Sequence, residues 1–225
     1  MDVRPSPESD FFPSSMEHRP LHVPEKVQLK LYFDRTGADE HEGFAPSRYA
    51  TSMELADFEA WIWGMRFWGR ETTVRAGIAV CRVLATEWDA ALGAVGQDPI
   101  PNSAAHSLVL SPAEAVNYGN YWVNIPSEEK AIRIMELEKP LPEEWYAEPF
   151  HTELQAKPFF WGALAAWRLM QGILIKRDPA AVGLAEGACA AARARMLAGC
   201  APADAVAEVK AKIVLDLRTW MGRKW

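Results

Sequence analysis

The sequence predicts a mainly α-helical fold, a bundle-like single domain wrapped around a buried central helix at about 158–176. A small β-sheet that includes residues 27–33 is allowed for beside it. Three observations lead there. From Pro158 to Lys176, the side chains of Phe159, Phe160, Trp161, Leu164, Trp167, Leu169, Met170, Ile173, Leu174 and Ile175 leave no continuous polar face at helical spacing. Between Val74 and Val95, the residues Ile78, Cys81, Ala85, Trp88 and Leu92 complete an apolar seam that advances by fours and threes. Helix-start signals recur ahead of the apolar runs: Thr51 with Glu54, Ser111 with Pro112 and Glu114, Asp178 with Pro179, and Pro202.

A helix that is apolar all round either crosses a membrane or sits inside a globular core. Arg168 and Gln171 interrupt this one, and its uncharged part falls short of the roughly 20 residues a bilayer requires. An Arg near the bilayer centre would raise the insertion cost by about 2.5 kcal/mol or more. The segment is therefore read as a core helix, with no membrane partner.

Residues 1–25 hold Pro5, Pro7, Pro13, Pro20 and Pro24 among several serines, so they are read as an extended arm whose apolar anchors are Phe11 and Phe12. Residues 26–225 make up the helical domain. Val27, Leu29, Leu31 and Phe33 alternate with Gln28, Lys30 and Tyr32, which predicts a half-buried strand ending at Asp34-Arg35-Thr36-Gly37. One strand needs a mate. Residues 107–110 and 131–135 are the candidates within the chain, and the edge of another molecule is the alternative.

Thr51 and Glu54 predict the start of a helix carrying Leu55, Phe58, Ile62 and Met65, with Gly69 ending or kinking it. The seam helix then runs to about Val95, and Gln97–Asn102 is a loop by its two prolines. Ser111 and Glu114 form a capping box for a helix that ends near Asn124. Ser127–Glu138 is open to both readings: Ser127 can cap a helix, while Ile132 and Ile134 alternate as in a strand. Pro140, Pro142 and Pro149 mark an acidic connection. After the central helix, Asp178-Pro179 starts an Ala- and Gly-rich helix that Gly199 ends. Pro202 opens the last helix, striped by Val206, Val209, Ile213, Leu217 and Trp220. In all, five to seven helices are expected.

The bulk numbers agree with a globular, water-exposed chain. Its 225 residues are enough for a core without staples, and 49% hydrophobic against 24% charged residues is ordinary. Ten tryptophans is a high count, and most of them lie in segments read as helical. Three cysteines, Cys81, Cys189 and Cys200, form neither an even framework nor a C-x-x-C pair, and no signal peptide opens the chain, so a cytoplasmic setting is expected. The net charge of −6 is uneven: residues 1–60 carry 12 acidic and 6 basic side chains, whereas residues 161–225 carry 5 and 10. Opposite charge at the two ends can attract within the fold or toward a partner.

No catalytic signature, phosphate loop, dinucleotide fingerprint or zinc-type pairing is present, so catalytic residues are unknown and no cofactor is expected. Asp39-Glu40-His41-Glu42 reads as a solvated loop, because four adjacent residues do not aim at one ion. His18 and His22 share a helical spacing but are separated by Pro20, so no metal site is assigned. Arg66, Arg70, Arg75 and Arg82 lie among aromatics, yet Arg66 and Arg70 fall about 40° apart while the others lie on the opposite side. They make no single stripe for a nucleic-acid strand. Arg168 with Gln171 is a candidate anion grip, with an internal salt bridge as the plainer reading. Lys210, Lys212, Arg218, Arg223 and Lys224 are candidates for nucleic-acid binding. Phe11, Phe12, Val27, Leu29, Leu31 and Phe33 are candidates for contact with another chain.

The leading expectation is a non-enzymatic cytosolic interaction or assembly subunit of a larger complex, partnered by another protein chain or by a second copy. The alternatives are a nucleic-acid-binding accessory protein using the basic last quarter, and an enzyme with an anion-binding pocket near Arg168.

Overall fold

Pro158 stands in the first turn of the central helix, where its missing N–H leaves no bond unmade. In the computed structural model, which describes residues 23–33, 44–94, 109–137, 139–174 and 178–223, that helix spans Pro158–Leu174. The chain is mainly α. Its described helices are α1 (Val23–Phe33), α2 (Met53–Gly64), α3 (Arg70–Ala94), α4 (Pro112–Asn124) and α5 (Glu128–Met135). They continue with α6 (Phe150–Gln155), the central α7 (Pro158–Leu174), α8 (Asp178–Leu197) and α9 (Pro202–Arg223). Two single-turn 3-10 segments lie at Met65–Trp68 and Glu143–Tyr146, and no strand occurs among the described residues.

The core gathers on α7, which packs against α8, α3, α4, α5 and α6. Phe160, Trp161, Leu164, Ala166, Leu169, Met170 and Ile173 are fully enclosed, and Trp167 lies half-buried against the same core. Each large apolar side chain taken out of water contributes about 1.5–3 kcal/mol. The neighbour α8 is hidden on every side along Ala188-Cys189-Ala190-Ala191-Ala192. Side chains this small let α2, α7 and α9 approach its backbone at once. Gly162 does the same for α7, since a Cβ there would stand 2.6 Å from the indole of Trp88. Trp88 in turn stacks on Phe159 at 4.2 Å between ring centres.

The seam expected on α3 is buried at Val74, Ile78, Cys81 and Trp88. The Ser111 cap forms as read: its hydroxyl accepts from the Glu114 amide at 3.2 Å, and the Glu114 carboxylate accepts from the Ser111 amide at 2.9 Å. Gly69 takes φ +90° between the 3-10 turn and α3, a conformation that side chains disfavour.

Four expectations are corrected and one open reading is decided. The described residues hold nine helices, where five to seven are expected. Residues 27–33 form no strand and no sheet; they lie in α1. The buried set is Leu29, Tyr32 and Phe33, spaced at three and four, while Val27 and Leu31 are exposed. The alternation misleads because Tyr32 reads as polar in the sequence. Its ring is buried, and its hydroxyl donates to the Trp61 carbonyl at 2.7 Å. Residues 131–135, open between helix and strand in the sequence, are helical, started by Ser127, whose hydroxyl accepts from the Lys130 amide at 3.2 Å. The cap of α2 is Ser52, one residue beyond Thr51, and it accepts from Leu55 at 3.4 Å. On α9 the buried stripe is Ala205, Val209, Ile213, Leu217 and Met221, which leaves Val206 and Trp220 at its edges. The arm at 1–25 falls outside the described residues except where α1 begins, as do the loop signals at 39–42 and 97–102.

Candidate functional site

Three regions collect the side chains from which a site can be built. The first is a polar cluster where the loop before α2 meets the 3-10 turn at 143–146, α6, α7 and α8. Glu59 of α2 is fully buried there, and its carboxylate accepts from the Ser47 amide at 2.7 Å and from the Ser47 hydroxyl at 2.5 Å. Burial raises its pKa above the ordinary carboxylate value, against the lowering effect of those two bonds. Cys189 faces it from α8, and burial followed by the Glu59 charge pushes the thiol well up. A thiol in that state is an inert packing group.

Tyr49 and Tyr146 lie beside this pair. The exposed Arg48 stacks over both rings, 5.0 and 5.5 Å from their centres, and donates to the Tyr49 hydroxyl at 3.0 Å. Burial raises both phenols, Tyr146 to about 12. His151 sits below, its Nδ1 at 2.7 Å from the Trp145 carbonyl. A carbonyl only accepts, so Nδ1 carries the proton. His151 Nε2 and the Tyr146 hydroxyl are buried without hydrogen-bond partners among the described residues.

Arg168 borders the cluster, and the structure places both members of the expected anion grip together. Its guanidinium donates to Gln171 Oε1 at 2.7 Å and to Glu186 Oε2 at 2.5 Å. Both charged groups are largely covered. An incoming anion would therefore have to displace the chain's own carboxylate.

The second region is a groove of about 550 Å³ between α3 and α9. Ala79, Val83 and Leu215 give it an apolar lining, and Arg82, Arg195, Lys212, Glu208 and Asp216 line it with charge. Arg82 pairs with Asp216 and donates to Asn120 of α4 at 3.3 Å. Arg195 grips Glu208 through bonds of 2.8 to 3.0 Å. Lys212 is exposed and makes no ion pair among the described residues, so the lining carries one net positive charge. The other basic candidates of this helix are not gathered here. Lys210 leans over the Trp61 ring at 4.5 Å and Arg218 over Phe33 at 5.9 Å, tying α9 to α2 and α1. The side chain of Arg223 and the whole of Lys224 lie outside the described residues.

The third region is the corner where α4 runs into α5. Tyr121, Ile125, Ile132, Met135 and Leu137 are exposed by 43, 71, 56, 55 and 46%. Trp122, Val123, Ala131 and Ile134, interleaved with them, are buried. Lys130 fastens the two helices, donating to the Tyr121 carbonyl at 2.9 Å and lying 4.5 Å from its ring centre. Glu128, Glu129 and Glu136 are exposed around this group, but Glu129 pairs with Arg133 at 2.7 Å and Glu128 with Arg70 at 3.7 Å, so the rim is of mixed charge. Of the residues expected to contact another chain, Val27 and Leu31 are exposed on α1, Leu29 and Phe33 are buried in this chain's own core, and Phe11 and Phe12 lie outside the described residues.

No protein-family model, curated protein or solved structure matches this chain. The site rests on geometry alone.

The corner is illegible in the sequence because Ser127–Glu138 fits both a helix and a strand. Only a helix puts Ile132 and Met135, three residues apart, on one exposed side. The groove was illegible because its walls come from helices more than a hundred residues apart. The Arg66–Arg82 series is accounted for by partners within the chain. Arg66 stacks on Trp63 at 3.0 Å, Arg70 donates to the Gly172 carbonyl at 3.3 Å, and Arg75 pairs with Glu71 at 3.1 Å.

Proposed function

We propose that this chain is a non-enzymatic interaction or assembly subunit that meets its partner through the α4–α5 corner. The observation that carries the reading is the exposure of five large apolar side chains within residues 121–137, beside neighbours that are buried. Exposed apolar side chains close together along the chain, with charged residues among them, are the composition of a docking face. Each gains about 1.5–3 kcal/mol when covered.

Two further features support it. Buried Cys81 and Cys189 have thiols pushed up by burial, which suits packing and not nucleophilic attack. The charge of Arg168 is met by Glu186 and Gln171, so its present state is that of an internal tie. The cytosolic setting belongs to the same proposal, since all three cysteines are free thiols.

The test places a photo-crosslinking residue at Ile132, and at exposed Glu153 on α6 as the control. One discrete protein adduct from position 132 and none from position 153 is the expected outcome. No discrete adduct at 132, or the same products from both positions, overturns the reading.

A further inference from the structure

We infer that the groove between α3 and α9 is a binding site for a small organic monocarboxylate carrying a short apolar tail. It is separate from the α4–α5 corner and does not depend on it.

The site follows from how three helices share out their charges. On α9, Glu208, Lys212, Leu215, Asp216 and Thr219 recur at helical spacing and line the groove from one face. Lys212 stands four residues from each carboxylate, where either one would ordinarily hold it. Both are taken by other helices. Arg195 of α8 grips Glu208 through bonds of 2.8 to 3.0 Å, and Arg82 of α3 pairs with Asp216. Lys212 is exposed and makes no ion pair among the described residues, so the lining retains one net positive charge. A single negative charge answers it. A dianion or a nucleic-acid strand would bring more negative charge past Glu208 and Asp216 than the lining can offset.

The helix register supplies a second donor. Arg75 lies 4.6 Å from the Trp220 ring centre and Arg82 meets Asp216, so α3 and α9 run antiparallel along the groove. One turn beyond Arg82 is Thr86, and one turn before Asp216 is Lys212, which brings the two to one level on facing walls. Thr86 is exposed, and its hydroxyl makes no hydrogen bond among the described residues. An ammonium and a hydroxyl on facing walls suit the two oxygens of a carboxylate. Val83 and Leu215 supply the apolar lining, and Leu215 is 64% exposed. An alkyl tail laid against them removes that surface from water. The volume of about 550 Å³ lies within the range of small-ligand sites.

Calorimetric titration of sodium octanoate into the full chain at fixed ionic strength tests this, with circular dichroism showing that each variant is folded. Saturable binding with a Kd of about 100 μM is expected. Octan-1-ol, which lacks the charge, and acetate, which lacks the tail, should each bind at least about tenfold more weakly. Lys212→Gln should weaken octanoate binding by at least about tenfold, and Lys212→Arg should keep it. Thr86→Val and Leu215→Asn, both at exposed positions, should each weaken it by about threefold or more. Ile132→Asp, at the corner, should leave it unchanged. No saturable binding below about 5 mM, equal binding of octan-1-ol, or wild-type affinity in Lys212→Gln overturns the proposal. Loss of binding in Ile132→Asp also overturns it, because the ligand would then sit at the corner. Crosslinking from position 132 reads the corner alone, so the two readings fail separately.

Discussion

Glu59 is the side chain whose chemistry departs furthest from its place in the sequence. It follows Phe58 and precedes Ala60 on a helix whose remaining inner surface is apolar, and it is fully buried. The Ser47 amide and hydroxyl hold it, yet burial outweighs them and its pKa is raised. The folded chain therefore takes up a proton at Glu59 more readily than the unfolded chain does. Its contribution to stability is fully present below the ordinary carboxylate value and is lost as pH rises through the raised folded value. Glu59→Gln keeps the shape and removes the charge. Urea titrations should find it matching wild type near pH 4 and more stable than wild type at pH 8. An equal difference at both pH values would show that Glu59 is not titrating in this window.

Among the elements, the start of α2 separates two neighbouring hydroxyls by what they bond. Ser52 has extended backbone angles and accepts from the Leu55 amide, as an N-cap does. Thr51 accepts instead from Arg193 of α8 at 2.7 Å, joining the exposed ends of two helices. Ser52→Ala is expected to cost about 1 kcal/mol, and Thr51→Ala about half of that or less. Chemical denaturation of the two variants gives the order, and the reverse order would return the cap to Thr51. The same logic explains which element boundaries were legible. At Ser111 the hydroxyl, Pro112 and Glu114 all indicate one start, and the helix begins there. At Thr51-Ser52 two adjacent hydroxyls compete, and spacing to Glu54 favours the first. At Val27–Phe33 strict alternation imitated a strand because a buried tyrosine carries a polar tip on an apolar body.

Over the whole molecule, the core depends on how many elements converge on α7. Leu169 is fully enclosed, whereas Leu215 is mostly exposed. Leu169→Ala should lower the unfolding free energy by about 2–5 kcal/mol. Leu215→Ala should change it by less than about 0.5 kcal/mol. Similar losses at both sites would contradict the burial pattern. Among the described residues, no helix is long and apolar enough to cross a membrane. The all-round apolarity of α7 is answered by the helices that enclose it. Charge is also settled at this scale. Lys210, Arg195 and Arg218 look like one basic quarter in the sequence, but they are turned onto Trp61, Glu208 and Phe33. Lys212 stays exposed at the groove without an ion pair among the described residues.

The sequence by itself determined that this chain is mainly helical, which segment lies at its centre, and where Ser111, Gly69 and Pro202 begin or break helices. These follow from local rules: apolar spacing, cap chemistry and the φ preference of glycine act within a few residues. Only the tertiary structure decided that Arg168 is tied to Glu186, that Glu59 is buried, and that a groove lined by paired charges forms between α3 and α9. The physical reason is distance along the chain. Groups 18, 38 or 134 residues apart, such as Arg168 with Glu186, Arg82 with Asn120, and Arg82 with Asp216, meet only when packed helices bring them together.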